Sequence, residues 1–310
     1  MFTISRTMNT MKQTLLRCFI VAIVSSCAIV VAPWARGSVT THVAPQPAPT
    51  RIISLIPAAS EMLFALGAGP QIVAVSSFDD YPPDVLGLPR VGALLDPDLE
   101  RILSLRPDLV IVYDSQTDLR RQLERAAIPT FVYKHAGLAD VTATIRQLGQ
   151  RVGRREQAGR LVRRIDESLE DIRRRVAGRP RPQTLLVLGR DAQTLRGIHA
   201  SGGVGFLHDM LSAAGGDNVF ADVRQESVQA TTELILSRRP EVILELRPGT
   251  MTPEMLQGER AVWRVLTSVP AVRAGRISIV ADPRTVVPGP RVAEGTELMA
   301  RVLHPEAFAR

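Results

Sequence analysis

The sequence predicts an α/β fold with two β/α lobes, each with a mostly parallel central sheet, joined by a single long backbone helix. One reason is a repeat: ERILSLRPDLVIV, residues 100–112, returns in altered form as ELILSRRPEVILE, residues 233–245. A second is that short apolar runs of strand type alternate with helical patterns around both copies, which is typical of parallel sheets. A third is the stretch 140–178 between the copies, whose apolar residues recur at helical spacing.

Each copy of the repeat predicts a short helix followed by a buried strand. The helix starts with an acidic residue, Glu100 or Glu233, after a possible cap at Asp98 or Thr231. It closes at an Arg-Pro step, because proline cannot continue a helix and restrains the residue before it. The apolar run that follows, DLVIV or EVILE, is typical of a strand buried on both faces. Two such copies indicate two lobes, whereas a solenoid has several copies at a period of roughly 20–50 residues.

Other patterns place a strand, a helix and a glycine stop in both halves. RIISL and QTLLVLG are predicted as strands, and ASEMLFALGAG and GFLHDMLSAAGGDN as helices ending at glycines, with Ser60 as a possible cap of the first. Between the halves, apolar positions after Gly153 continue at helical spacing to Val176, which predicts the long backbone helix. Its arginines are predicted to form a solvated face, since acid-before-base pairs accompany them; an anion-binding patch is the alternative.

The N-terminus has the features of a secretory signal. Basic residues precede an apolar run, 18–32, that is short for a membrane span, and small residues around Gly37 suit cleavage. Cys27 in VSSC also resembles a lipoprotein box, but the apolar residues after it favour plain cleavage. We therefore expect a periplasmic protein. The predicted segments are a signal peptide 1–37, a disordered leader 38–50, an N-terminal lobe 51–139, a helical connector 140–178 that includes the backbone helix, and a C-terminal lobe 179–310.

Composition excludes several kinds of chemistry. Both cysteines, Cys18 and Cys27, lie in the predicted signal, so the mature chain has no thiol for a disulfide, a nucleophile or a metal site. The formal charge of +7 falls to +3 without residues 1–37, which carry four basic residues and no acidic one. This ordinary charge gives no sign of nucleic-acid binding. Since no nucleophile elbow, zinc-protease helix or supported pair of catalytic carboxylates occurs, we predict no enzyme, no cofactor and no metal site.

From about Arg51 to about Leu303 the chain resembles the periplasmic substrate-binding proteins of ABC importers for cobalamin, haem and ferric siderophores. The resemblance is carried by RIISLIPAASEMLFALGAG, LPRVGALLDPDLERILSLRPDLVIV, IPTFVY, GFLHDMLSAAGGDNVFAD and TTELILSRRPEVIL. It is closest to the cobalamin-binding branch, because VSSFDDYPP is followed by DLERI. The resemblance implies a monomer that captures a small-molecule metal chelate, in this branch a corrinoid, and delivers it to an ABC permease dimer with its ATPase.

The resemblance also implies a role for the first residue of the repeat. In this family the glutamate at the start of this helix, one in each lobe, docks on arginines of the permease, and here those residues are Glu100 and Glu233. A purely structural interpretation exists, since the helix dipole stabilises an acidic residue in any first helical turn. The duplication favours docking, because two matching carboxylates would present a symmetric pair to a two-fold partner.

The ligand is expected beyond the carboxyl ends of the strands, where loops of the two lobes face each other. By resemblance, the predicted ligand-binding residues are Pro57, Ala58, Phe78, Tyr81, Leu94, Tyr113, His199, Ser201, Gly202, Arg284 and Arg291. The aromatic members suit a flat macrocycle, although Tyr81 is equally consistent with packing in its own loop. Leu94 stands where the cobalamin branch has a tryptophan, the matching place in the second copy holds Ser227, and Trp263 is predicted to be a packing residue.

Other ligands, and another class of protein, stay open at this point. Haem would ask for an axial tyrosine or histidine, for which the candidates by type are Tyr113, Tyr133, His135, His199 and His208. Ferric siderophores are anionic and are gripped by arginines, for which the candidates are Arg90, Arg190, Arg196, Arg284 and Arg291. ASGGVGF, 200–206, is predicted as a turn that opens a helix, because it lacks the lysine of a phosphate loop. The alternative of another class is a secreted enzyme or sensory adaptor on the same scaffold.

Overall fold

The N-terminal lobe is built on a four-stranded sheet in the computed structural model, which describes residues 47–309. The predicted signal peptide and most of the leader lie outside the described residues. The strands are β1 (Ile52–Ser54), β2 (Ile72–Val75), β3 (Leu109–Tyr113) and β4 (Thr130–Tyr133), and the helices are α1 (Pro57–Ala65), α2 (Leu99–Ser104) and α3 (Thr117–Arg125). The strand order is β2-β1-β3-β4, and every neighbouring pair is parallel.

Two consecutive helices, α4 (Leu138–Arg151) and α5 (Arg155–Val176), connect the lobes. The predicted long helix is α5, whose 22 residues make it about 33 Å long at 1.5 Å per residue. Its buried side forms the expected helical stripe of Ala158, Leu161, Val162, Ile165, Leu169, Ile172 and Val176. On its solvent side, Arg174 and Arg175 lie 3.2 and 2.7 Å from Asp171. The arginines there form a solvated, ion-paired face, as predicted.

The C-terminal lobe is built on a six-stranded mixed sheet. Its strands are β5 (Gln183–Gly189), β6 (His199–Ser201), β7 (Asp217–Asn218), β8 (Ser227–Gln229), β9 (Val242–Arg247) and β10 (Ile277–Ala281). Its helices are α6 (Phe206–Ala213), α7 (Thr232–Arg238), α8 (Pro253–Val262), α9 (Pro270–Arg273) and α10 (Val292–Leu303). The order is β10-β9-β5-β6-β8, with β7 beside β5. Only β6 runs antiparallel to its neighbours, so the two lobes have the predicted, mostly parallel sheets.

The helices of the repeat begin as predicted. The Asp98 carboxylate accepts a hydrogen bond from the N–H of Arg101 (2.9 Å) at the start of α2. At the start of α7, the Thr231 hydroxyl accepts one from the N–H of Leu234 (3.2 Å). Both side chains satisfy a backbone donor that the first helical turn leaves without a partner. Both predicted caps are therefore confirmed.

The predicted cap of α1 is wrong. The helix begins at Pro57 rather than after Ser60, and its N-cap is Ile56. Proline suits the first helical position, because its φ is already helical and the missing N–H is not needed there. Ser60 lies one turn further on, where its hydroxyl donates to the carbonyl of Ile56 (3.2 Å).

One apolar core runs through both lobes. It extends from β1 and β3 through the buried sides of α4 and α5 to α6 and α10. A second cluster covers the other face of the C-terminal sheet around Trp263, which is fully buried and is the packing residue that the sequence predicts. Across residues 47–309, no helix combines the length and the apolar character needed to span a membrane.

Candidate functional site

Several predicted ligand residues lie where strands of the two sheets end. In the N-terminal lobe, β1 leads to Pro57 in the first turn of α1, β2 leads to the loop 76–81, and β3 ends at Tyr113. In the C-terminal lobe, β10 leads to Arg284, and His199 opens β6 opposite the last residue of β5. The carboxyl ends of parallel strands are where α/β proteins bind ligands. Contacts between the lobes bring residues of these two edges together.

The loop 76–81 exposes the side chain of Phe78 to solvent, and hydrogen bonds to neighbouring residues hold the loop in place. The buried Asp79 carboxylate accepts hydrogen bonds from the N–H (3.0 Å) and the hydroxyl (2.5 Å) of Ser76. Arg90 Nη1 donates to the carbonyl oxygens of Asp79 (2.6 Å) and Ser76 (2.9 Å). Burial raises the pKa of Asp79, and these partners only limit the rise. Phe78 itself is 74% exposed, so the loop offers an apolar ring to whatever binds there.

Arg291 and Tyr81, both predicted to touch the ligand, contact each other across the lobes. Arg291 lies just before α10, and its Nη2 and Nε donate to the two carboxylate oxygens of Glu61 on α1 at 2.6 and 2.9 Å. Its guanidinium carbon is 3.7 Å from the centroid of the Tyr81 ring, a cation–π contact. Burial raises the pKa of Glu61, and Arg291 opposes this rise. Sequence reasoning misses Glu61, because its partner is 230 residues away.

Arg284 is held by carboxylates of its own lobe. Its Nε and Nη2 donate to Asp282 at 2.9 and 2.6 Å, and its Nη1 donates to Glu294 at 3.1 Å. These hydrogen bonds raise the pKa of Arg284. The hydrogen bond from Arg284 lowers the pKa of Asp282, although partial burial opposes it. The charge of Arg284 is therefore balanced within the lobe.

Arg190 is not available to a ligand, so its interpretation as a candidate siderophore contact is wrong. Its side chain is 0% exposed, and its Nη2 lies 3.1 Å from Glu245 and 2.7 Å from Glu259. Arg247 lies 2.6 Å from Glu245, and Trp263 Nε1 donates to the same carboxylate at 3.0 Å. A buried charge needs partners of opposite sign. These two arginines and two glutamates, the buried ion network, balance one another's charge inside the C-terminal lobe.

A row of aromatic rings passes from the N-terminal lobe to the C-terminal lobe. The centroid distances are 5.9 Å for Tyr113 and Tyr133, 6.5 Å for Tyr133 and His135, and 5.2 Å for His135 and Phe206. Burial raises the pKa of both tyrosines, which keeps the phenols neutral. Nothing in the sequence singles out Phe206, since it looks like an ordinary helix residue. In residues 47–309, no group of three or more His, Cys, Asp or Glu side chains is placed to hold a metal ion.

Three predicted ligand residues lie inside the protein rather than on an open surface. Ala58 is buried in α1. Asn218 Nδ2 donates to the carbonyl oxygens of Ser201 (3.1 Å) and Gly202 (2.8 Å). A Cβ atom on Gly202 would lie 2.0 Å from the carbonyl oxygen of Gln225, so close chain approach requires the glycine. These positions serve packing, and a contact with ligand stays a prediction for them.

Leu94 and His199, in contrast, are exposed. Leu94 is followed by the still more exposed Leu95, and its carbonyl oxygen accepts a hydrogen bond from Gln116 Nε2 (3.1 Å). Gln116 Oε1 also accepts from the backbone N–H of Tyr113 (3.0 Å). One amide therefore ties the end of β3 to the loop that carries the exposed leucines.

Glu100 and Glu233 lie at equivalent, exposed positions, each the second residue of its helix. The Glu233 carboxylate accepts hydrogen bonds from the backbone N–H of Glu233 and from the Thr231 side chain. These hydrogen bonds lower the pKa of Glu233 and keep it charged. One turn later, Leu103 and Leu236 are each 38% exposed. Residues three apart share a helix face, so each lobe presents a carboxylate and a leucine together.

Known proteins resemble the chain in sequence and in fold. The sequence profile of the periplasmic binding protein family matches residues 52–283. The uncharacterized ABC transporter substrate-binding lipoprotein YvrC of Bacillus subtilis is 29% identical over 269 residues, 84% of this chain and 82% of that protein. The vitamin B12-binding protein of Pectobacterium carotovorum is 29% identical over 226 residues, 72% of this chain and 79% of that protein. The periplasmic heme-binding protein RhuT from Roseiflexus sp. RS-1 has a TM-score of 0.70 at 25% identity, covering 83% of this chain and 98% of that one.

Proposed function

The chain belongs to the periplasmic binding protein family and is the substrate-binding protein of an ABC importer, not an enzyme, and we propose that its ligand is a corrinoid of the cobalamin type. Proteins with this role work outside the cytoplasmic membrane. Their partners are an ABC permease with its ATPase and a small-molecule ligand. The proposed ligand site is the cleft between the two lobes, at the carboxyl ends of the strands.

The observation that carries the ligand proposal is the charge balance of the predicted cleft residues. Arg291 is paired with Glu61, and Arg284 is paired with Asp282 and Glu294. Neither guanidinium offers an unbalanced charge to an anionic siderophore or to the propionates of haem. A corrinoid makes no such demand, because its periphery is largely uncharged amide. It also needs no axial ligand from the protein when it carries its own.

Apolar surface in the N-terminal lobe supports the same proposal. Phe78, Leu94 and Leu95 are exposed, and Tyr113 lies half-buried at the end of β3. Aromatic and aliphatic walls bind flat macrocycles by burying area without charge. The vitamin B12-binding relative adds to this support, whereas the heme-binding structure keeps haem as the alternative ligand.

The ligand is tested with the chain from residue 38 to residue 310. Cyanocobalamin, haemin and a ferric siderophore are titrated separately, with absorbance and calorimetry as readouts. We expect saturable binding of cyanocobalamin alone. Binding of haemin or of the siderophore instead would contradict the corrinoid proposal, and so would failure of all three to bind.

We also propose that Glu100 and Glu233 dock the protein on its permease. Glu100→Ala with Glu233→Ala should abolish ligand uptake in reconstituted vesicles and leave ligand affinity unchanged, because both carboxylates are exposed. Glu254 provides a matched control: it is the second residue of α8, follows the cap Thr252, and has a lowered pKa like Glu233. Equal loss of uptake in Glu254→Ala, or loss of affinity in the double variant, would contradict the docking role.

For location, we propose secretion to the periplasm through a cleaved signal peptide. The name of the Bacillus subtilis relative supports the alternative, a lipid anchor, for which Cys27 is the candidate. The mass of the protein isolated from its native cells distinguishes the two. We expect a chain that starts near Ser38, whereas a chain that starts at a lipidated Cys27 would overturn the proposal.

A further inference from the structure

We infer that Glu61, Arg291 and Tyr81 form an inter-lobe clamp that sets the aperture of the cleft before any ligand arrives, with Glu61 as its positioning residue. Glu61 and Tyr81 belong to the N-terminal lobe and Arg291 to the C-terminal lobe. The side chain of Glu61 is 3% exposed and that of Arg291 is 14% exposed, so salt and water weaken the pair little. Its two hydrogen bonds, of 2.6 and 2.9 Å, restrain orientation as well as distance.

Glu61 and Arg291 both lie in segments whose backbone is restrained. Glu61 lies within α1, and Arg291 follows Pro288, Gly289 and Pro290. The two prolines restrict the backbone, because the ring of each holds φ near one value. A Cβ atom on Gly289 would lie 3.1 Å from a carboxylate oxygen of Glu61, so this segment passes closely over the carboxylate. With stiff supports, a side-chain contact becomes a restraint on the lobes themselves.

The clamp is a connection separate from the backbone helix. A cavity of about 590 Å³ is lined by Glu61, Tyr81 and Arg291 and, from α5, by Leu161 and Ile165. The clamp and this part of α5 thus border the same cavity. The ion pair therefore restrains the lobes at a place other than α4 and α5, in addition to the contact of His135 with Phe206.

An ion pair at this position suits a role in orienting the two lobes rather than in raising the free energy of unfolding. Removing two charges from water costs about as much as their attraction returns, and an apolar pair of similar size is often equally stable. An apolar pair lacks the directional hydrogen bonds. Replacing both charges together therefore separates orientation from folding.

The test measures the distance between the lobes with no ligand present. Residues 38–310 contain no cysteine, so Glu124→Cys in the N-terminal lobe and Ser268→Cys in the C-terminal lobe carry the only spin labels. Pulsed electron spin resonance should give a single narrow distance distribution for this background. Adding Glu61→Leu with Arg291→Met should replace it with a broader one, since the lobes lose the restraint that the ion pair supplies. Glu61→Arg with Arg291→Glu should restore the narrow distribution.

Glu297→Gln provides the matched control. It breaks an exposed ion pair of 2.5 Å with Arg301 inside α10, which joins no two elements, so the distribution should stay narrow. If Glu61→Leu with Arg291→Met folds normally by circular dichroism and keeps the narrow distribution, no clamp exists. Broadening by Glu297→Gln to the same degree would overturn the inference equally. Neither outcome depends on which ligand the protein carries.

Discussion

The two copies of the repeat agree where their helices and strands begin and differ where their strands end. Each has a capped helix with an exposed glutamate, and each helix is followed by an arginine in the left-handed region, with φ of 47° at Arg106 and 51° at Arg239. A residue before proline is disfavoured in the right-handed helical region, so the Arg-Pro step stops both helices in the same way. The residues that the two copies share are thus those that start and end the helices.

The acidic residue after each Arg-Pro step accepts an equivalent hydrogen bond in both copies. Asp108 accepts a hydrogen bond from the backbone N–H of Arg51 (2.9 Å), and Glu241 accepts one from the N–H of Gln183 (3.0 Å). Those donors lie at the starts of β1 and β5, the first strand of each lobe. Each copy therefore ties its own strand to the first strand of its lobe.

The two copies differ in residue type at the carboxyl ends of their strands. Val112 of β3 is apolar and buried, whereas the matching Glu245 of β9 is the centre of the buried ion network. The next pair is Tyr113 and Leu246. Strand starts face away from the cleft and strand ends face it. The comparison teaches that both copies keep the same scaffold, while the protein interior at their strand ends differs in chemistry.

The largest effect is expected from Glu245→Val, which makes the second copy like the first. Arg190 and Arg247 would be left with Glu259 as the one carboxylate of the network in a buried site, so the free energy of unfolding should fall by about 3–5 kcal/mol. Urea unfolding measures this. The control Glu245→Gln keeps the shape and an acceptor for Trp263 and should lose less. A loss below about 1 kcal/mol in Glu245→Val would show that the copies differ here without consequence.

A smaller and symmetric effect is expected at the two caps. Asp98→Ala and Thr231→Ala each remove one acceptor for a first-turn N–H, so each should lower the free energy of unfolding by about 1 kcal/mol. Thermal unfolding of each single variant compares the two copies directly. Thr252→Ala, at the cap of α8, calibrates the cost outside the repeat. A loss confined to one copy would break the equivalence of the two helices.

The smallest effect is an acid-dependent one at Asp108. Burial acts to raise its pKa, but hydrogen bonds from the N–H groups of Thr50 and Arg51 outweigh this and lower it. A lowered pKa contributes stability at neutral pH that is lost as the pH falls through the carboxyl range near 4. Asp108→Asn should therefore lose less stability than the natural chain between about pH 7 and about pH 3, measured by urea unfolding. A constant difference between the two chains across that range would contradict the assignment.

Features with local causes could be predicted from the sequence. The apolar stripe of α5, the caps of α2 and α7, and the buried strands of both copies depend on residues close together in the chain. The error at α1 is also local: Pro57 and Ser60 are both signals for a helix start, and the proline decided the outcome because its φ is already helical.

The candidate site could be predicted in outline only. Topology and family resemblance place Phe78, Tyr81 and Tyr113 near strand ends, but they do not show that Arg291 covers the ring of Tyr81. Arg190 looks like a loop arginine in sequence, yet it is buried, since its partners come from β9 and α8. An ion-pair partner on another helix or strand cannot be recognised from the spacing of residues close together in the chain.

The sequence by itself determined where the elements start and stop, that there are two lobes, and which carboxylates stand exposed on each. Those properties follow from hydrophobic period, capping and proline, whose effects reach only a few residues along the chain. The tertiary structure alone decided which charges in the cleft are balanced, because it brought Glu61 to Arg291 and Asp282 and Glu294 to Arg284. The attraction between charges depends on distance in space and on burial, and spacing along the chain specifies neither.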